Sequence, residues 1–444
     1  MVHRLLLAGR FALGAASFLA VAFGASIAEG QGWPPSGHHG YEFTAIRELV
    51  SFDPNLSTPL RLSACASGQG SVLVLIDIQY AGKNEFEPLY VVSLDGGLNF
   101  SGLNHLWVNK SSPLSTQPHA YADQFSNLYV AFEDRLDVTR TGLLLSWSRD
   151  GGRSFSDPTP VELEPNWSGL GPRVAVDDKG VVHITYRRRQ LSPLRFQAIY
   201  RHSLVPADTK RGFRWFPGFN GSRAPAWPLH FSDRVLVSRA RFDGDSGDIA
   251  VDPSGRVFAT YVDLQSAPAV WLARYDGDRF RDRVAVAPAL PYSLESYLMR
   301  ARTGALFLAI TGNDPITGRS DLFFVTSADE GKTFSPPFNL TNNFFADGPP
   351  TGQRMIALDA SDNILITYHY GEGTGWSDFA IYRSEDGGQH FTARARVPPG
   401  LPKSEKYVIT YALAPDGTLH LFWTDPSVQK LGERAIWYSR GERR

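Results

Sequence analysis

The residues of this 444-residue chain that could do chemistry recur at the two ends of short apolar segments. Arg61, His119, Arg173, Asp248, Tyr297, Arg354 and Tyr407 stand at or near segment beginnings. Asp77, Glu133, Asp134, Arg135, Arg187, Asp263, Asp314, His369 and Asp425 stand at segment ends. An arginine presents a planar fork of donors that grips a carboxylate through two bonds. Tyrosine, histidine and carboxylates move protons, or attack a carbon once a neighbour activates them. An acidic sugar is the natural ligand of such a set, with Arg61, Arg173 and Arg354 on its carboxylate. A lone arginine is more often a plain surface ion pair, and Asp77, Asp248 and Asp263 could neutralise all three. In the run Arg187-Arg188-Arg189, strand alternation lets only some members face one way.

The segments themselves repeat. A turn followed by an alternating strand occurs at Gly70, Asn127, Gly180, Gly255, Gly304, Asn363 and Gly417, at intervals of 57, 53, 75, 49, 59 and 54. A second element follows about 20 residues later in four units. It reads Ser93-Leu-Asp95-Gly-Gly97-Leu-Asn-Phe100, Ser148-Arg-Asp150-Gly-Gly152-Arg-Ser-Phe155, Ser327-Ala-Asp329-Glu-Gly331-Lys-Thr-Phe334 and Ser384-Glu-Asp386-Gly-Gly388-Gln-His-Phe391. Each is a β-turn in which Asp accepts backbone N–H groups, Gly supplies positive φ and the aromatic tucks under the turn. Repeats of 50–60 residues with four short strands each predict an all-β, seven-bladed β-propeller over residues 41–444, with six blades as the alternative. The last unit lacks a fourth strand. The segment Tyr41–Val50 is a spare strand that should pair near Ala435–Ser439 and close the ring.

In such a ring the starts of strand A and the ends of strand B share one rim around the channel. The turn motifs lie on the opposite rim, so the residues named above form one ring at a concave mouth. Trp215, Trp227 and Trp376 sit in long Gly/Pro-rich insertions and either stack on sugars or pin those loops.

Composition agrees with this fold. There are 41 Gly, 30 Pro, 28 Phe, 17 Tyr and 10 Trp, a turn-rich and aromatic-rich make-up suited to strands. Forty-four Lys+Arg against 45 Asp+Glu leave a net charge of −1, which offers no general field for nucleic acid. The single Cys65 excludes an internal disulfide and a cysteine-based zinc site; no metal and no cofactor are expected. Arg4 and Arg10 precede an apolar run to Ile27, and small residues end at Ala28. Residues 1–28 therefore read as a secretory signal peptide and 29–40 as a flexible lead-in. The mature chain is expected to be secreted or periplasmic and not inserted in a membrane.

The turn pattern S-x-D-x-G-x-x-[FW] resembles the Asp-box of sialidases and related secreted propellers. That resemblance implies a carboxylate-binding arginine at Arg61, in Leu60-Arg61-Leu62-Ser63. It implies a nucleophilic tyrosine at Tyr407, with Tyr411 as its rival, and a partner at Glu295. Thr311-Gly312-Asn313 stands where the family carries a second arginine. Three function classes follow. The first, favoured, is an exo-glycosidase on acidic glycans: Tyr407 attacks, Glu295 is its base, and Asp77 or Glu85 is the acid. The second is a non-catalytic glycan- or protein-binding propeller. The third is a lyase acting on uronic acids through His119, Tyr297 and Arg173. His369 is a further polar group of the mouth, as base or as channel filler.

Overall fold

The structure, a computed structural model, describes residues 41–443 except 54–56, 82–85, 107–117, 136–140, 165–166, 192–193, 205–228, 240–243, 265–268, 291, 294, 319, 342–354, 372–376, 393–394, 397–408 and 425–433. The expected signal peptide and lead-in lie outside the described residues. Strands and turns build seven antiparallel sheets, with sequence ranges 57–105, 119–162, 167–236, 244–285, 295–339, 356–396 and 409–443. They are called blades 1–7, and their strands A to D in chain order. Seven blades hold, not six. Among the described residues no helix is long and apolar enough to cross a membrane.

The reason the ring forms is visible in blade 1. Val72 to Ile76 are all at most 1% exposed. The pleat sends Val72, Val74 and Ile76 toward blade 7 and Leu73 and Leu75 toward blade 2. A strand buried on both faces needs a continuous apolar run, and blades stacked on either side supply the cover. Each junction between neighbouring blades holds its own apolar cluster. The core is thus a set of radial slabs, each side chain of Leu or Ile size contributing about 1.5–3 kcal/mol on burial.

The four turn motifs fold alike. In the first, Ser93 Oγ donates to Asp95 Oδ1 at 2.7 Å and accepts from the Gly97 amide at 2.8 Å, while the Asn99 amide donates to Asp95 Oδ1 at 2.9 Å. The same three bonds recur around Asp150, Asp329 and Asp386. The Asn99 amide and side chain, with Ser93, hold the Asp95 carboxyl down at about 2. The aromatic that closes the motif also reaches the preceding blade. Ring centroids are 5.0 Å apart for Phe100 and Tyr438, 5.1 Å for Phe155 and Tyr90, and 5.0 Å for Phe391 and Phe324. Each turn is therefore also a clasp between two blades.

The ring is closed as the spare strand required. Tyr41–Phe43 and Arg47–Phe52 pair antiparallel with Arg434–Arg443, with Arg47 opposite Tyr438 and Phe52 opposite Arg434. Arg47 fastens this strand to the first turn: its guanidinium donates to the Leu98 carbonyl at 2.6 Å and to the Gly97 carbonyl, and lies 5.0 Å from the Tyr438 ring. Gly97 has φ +83°, and a Cβ there would sit 2.1 Å from the Tyr438 hydroxyl. Beneath it His420, 1% exposed, shares a 2.9 Å hydrogen bond with that hydroxyl. Burial, aided by Arg440, pushes the His420 imidazole down to about 4.

Three outcomes follow for this seam. Removing residues 41–52 bares a sheet edge, and the truncated protein should aggregate, as size-exclusion chromatography would show. Gly97→Ala should cost about 2–4 kcal/mol in chemical unfolding, from left-handed strain and overpacking together. His420 is neutral in the fold down to about pH 4, whereas the unfolded chain protonates near 6.5. The unfolded state then binds more protons, so stability should fall as pH drops from about 6.5 toward 4. The loss should approach about 3 kcal/mol, and His420→Gln should flatten the profile in thermal melts across that range.

Candidate functional site

Antiparallel pairing puts the start of strand A beside the end of strand B. Arg61 stands opposite Asp77 and Glu295 opposite Thr311. At the other end of blade 1, the Gly96 amide of the turn motif donates to the Gly70 carbonyl at 2.8 Å. The chemistry-bearing residues thus share the rim away from the turns.

Over blades 3, 4 and 5 the mouth gathers a defined cluster. Glu295 and Tyr297 are two residues apart on one strand, so both point to the same side. The Tyr297 hydroxyl donates to Glu295 Oε2 at 3.0 Å. Arg173, from strand A of blade 3, reaches over blade 4 until its guanidinium lies 5.9 Å from the Tyr297 ring centroid. Its Nη1 donates to the Pro172 carbonyl at 3.1 Å. Between them Asp245, on strand A of blade 4, pairs with Arg187 of blade 3 at 2.8 Å.

The electrostatics follow from burial. Desolvation raises the Glu295 carboxyl above the usual range, against the pull of the Tyr297 hydrogen bond and of Arg173. Desolvation, and then the charge of Glu295, push the Tyr297 phenol well above its ordinary value. The phenol is therefore neutral at physiological pH, with its proton directed at Glu295. A carboxyl raised toward neutrality suits a base.

Asp248 is fully buried and ties two blades together. Its Oδ1 accepts from the Ile249 amide at 2.9 Å, and its Oδ2 accepts from the Leu298 amide of blade 5 at 3.0 Å. Leu298 follows Tyr297 directly, so this bond sets where the Tyr297–Glu295 strand lies. The register shift between Ser246 and Ile249 turns Asp248 that way. Gly247 sits within it because a Cβ would lie 2.2 Å from Thr260 Oγ1.

The remaining expected residues fall elsewhere. Arg61 pairs with buried Asp77 at 3.7 Å within blade 1. His119 is buried at the start of blade 2, whose Ala120 amide donates to Ser63 Oγ of blade 1 at 3.0 Å. Asp263 lies opposite Gly244 in blade 4, and Asp314 accepts the Ile316 and Thr317 amides of its own turn. His369 lies on strand B of blade 6 opposite Phe379, and its side chain is outside the described residues. Tyr407, Glu85, Arg354, Asp425, Trp215, Trp227 and Trp376 also lie outside them.

Two mouth residues escaped sequence reasoning. Asp245 was missed because strand A of blade 4 begins at Gly244, ahead of the apolar pattern; the glycines at 244 and 247 were the available signal of a bulge. Tyr292 precedes Glu295 by three residues, is 56% exposed and holds φ +54°. The opposite rim has a cavity of about 70 Å³ between blades 7 and 1, bordered by Gly70, Asp416, His420 and Arg440. That is room for about two waters.

No family model matches the sequence, and no curated protein matches it. Solved structures do match in fold. Two structures of an ulvan lyase from a new polysaccharide lyase family, one bound to -[GlcA(1-4)Rha3S]-, align with TM-scores of 0.51 and 0.52. Identities are 11% and 12%, covering 88% of this chain and 95% of the lyase. An intramolecular trans-sialidase from Ruminococcus gnavus aligns at 14% identity over 87% of this chain and 95% of that one, with a TM-score of 0.43. A Dyadobacter fermentans protein of unknown function aligns at 11% identity over 90% and 99%, with a TM-score of 0.48. The likeness is one of fold: this chain is similar to propellers that include glycan-acting enzymes.

Proposed function

We propose that the protein is a secreted enzyme that cleaves a carboxylate-bearing glycan at the mouth over blades 3 to 5. The observation that carries this reading is the 3.0 Å hydrogen bond from Tyr297 to Glu295 beside the Arg173 guanidinium. Arg173 holds the sugar carboxylate. The Tyr297 oxygen attacks the anomeric carbon as its proton passes to Glu295, and the glycosidic C–O bond breaks. The leaving oxygen takes its proton from solvent water, and the Asp245 carboxylate, paired with Arg187, faces the positive charge that develops on the sugar ring. Water then releases the sugar with Glu295 assisting, and two displacements retain the configuration. The role that resemblance gives to Tyr407 passes to Tyr297, while Glu295 keeps its own. Secretion rests on the leader pattern of residues 1–28.

A lyase is the second reading, favoured by the Arg173–Tyr297 contact itself. A guanidinium that neutralises a uronate carboxylate eases loss of the adjacent proton to the Glu295 carboxylate, and the phenol beside it can protonate the leaving oxygen. An ulvan lyase among the fold neighbours fits that reading.

Turnover on a fluorogenic sialoside and on polyuronates, with product analysis, tests both. A new reducing end without unsaturation supports the glycosidase; an unsaturated, ultraviolet-absorbing product supports the lyase. Tyr297→Phe should lower kcat about 10²–10⁴-fold with binding retained. Arg173→Lys should weaken substrate binding about ten- to a hundredfold, because an ammonium lacks the planar fork. Because the Glu295 carboxyl titrates above the ordinary glutamate range, activity that needs it as a base should fall away at a correspondingly higher pH on acidification. Unchanged kinetics for both variants, or neither product from any acidic glycan, would overturn the proposal.

A further inference from the structure

We propose that blade 3 carries a second anion subsite centred on Arg189, so that the mouth takes a polyanionic glycan chain rather than one acidic sugar. The inference rests on reading Arg173, Glu295 and Tyr297 as the first subsite.

The run Arg187-Arg188-Arg189 lies on strand B of blade 3, Val182–Leu191, where it runs out past the mouth. Its three members meet three fates. Arg188 turns toward blade 2, is 7% exposed, pairs with Glu162 at 3.2 Å and with Glu164, and stacks at 3.8 Å on Trp167. Arg187 turns toward blade 4 and pairs with Asp245 at 2.8 Å. Arg189 lies on the same face as Arg187, one pleat further out, roughly 7 Å along the strand. Among the described residues no carboxylate answers it. Its Nε is closed off from water with no hydrogen-bond partner.

The surroundings suit a sugar chain. Phe196 stands directly across the hairpin from Arg189, and Arg187 lies 5.4 Å from its ring. An aromatic ring offers an apolar face to a sugar, and a guanidinium beside it takes a carboxylate or a sulfate ester through its fork. Arg187 links the two subsites, since Asp245, its partner, also acts on the Glu295 carboxyl. A chain gripped by Arg173 at one residue would meet Arg189 with the next anionic group. A single acidic sugar would leave Arg189 unused.

Calorimetry with three probes tests this: 3′-sialyllactose, which carries one anionic group, a tetramer of galacturonic acid, and a sulfated oligosaccharide of similar length. The native protein should bind a multiply charged probe about tenfold or more tightly than sialyllactose, with a steeper loss on adding salt. Arg189→Gln should erase that advantage, leave sialyllactose binding unchanged and leave the melting temperature unchanged, because no partner among the described residues is lost. Arg189→Lys should recover only part of it. Which probe loses more, carboxylated or sulfated, identifies the anion. Equal affinities for all probes in the native protein, or an equal effect of Arg189→Gln on all of them, would overturn the subsite. Arg173→Gln separates the two readings. If it abolishes binding of every probe, the first subsite stands. If it changes nothing while Arg189→Gln weakens the tetramer, the Proposed function falls and the Arg189 site survives. If no probe binds the native protein, both fall.

Discussion

The pairing of the first described strand with the last is the contact on which the ring depends. Blades 1 to 6 each complete their own four strands, but blade 7 supplies only three from the C-terminal end. Without Arg47–Phe52 on Arg434–Arg443, the sheet would end on unpaired backbone groups, and the apolar slab between blades 7 and 1 would lose Phe52. A propeller has no other centre: its core is a circle of slabs, so one open seam leaves two blades half covered. Arg47 shows how closely the seam is built, because one side chain bonds the Gly97 and Leu98 carbonyls and lies over Tyr438 and Phe100.

Closure matters for the mouth because nothing there is held by a single blade. The Tyr297–Glu295 couple belongs to blade 5, Asp245 and Asp248 to blade 4, Arg173 and Arg187 to blade 3. Their relative placement is set by bonds that cross junctions, with Asp248 on the Leu298 amide and Arg187 on Asp245. A closed ring cannot widen one junction without narrowing another, which holds such groups in place before a ligand arrives. Preorganised groups need no rearrangement during reaction, and that is where electrostatic catalysis gains most.

The parts of this architecture legible in the sequence are those determined within a few residues. The turn motif satisfies its own backbone: Ser93, Asp95 and Gly97 do the same work wherever they occur, so four copies announced themselves. The spare strand was legible for a bookkeeping reason, since one blade lacked a strand and one strand lacked a blade. The mouth was legible as a ring of residue types but not as a constellation. Glu295 and Tyr297 were both named, but as separate members of the ring, whereas the two are hydrogen-bonded at 3.0 Å on one strand. The pleat makes i and i+2 neighbours on one face. Asp248 was read as a member of the mouth ring that could neutralise an arginine; its oxygens accept from the Ile249 and Leu298 amides. The bulge that aims them depends on Thr260 and Ser296 crowding Gly247, contacts that no local pattern records.

The arginine run makes the same point in its sharpest form. Three identical side chains in succession differ in nothing that composition or charge can show. Alternation assigns the middle one to blade 2 and the outer two to blade 4, so the middle guanidinium is spent on Glu162 and Glu164. The bulged start of blade 4 then decides between the outer two, because it brings Asp245 level with Arg187 and no described carboxylate level with Arg189. The difference between Arg187, paired with Asp245, and Arg189 is therefore set by one pleat and one bulge.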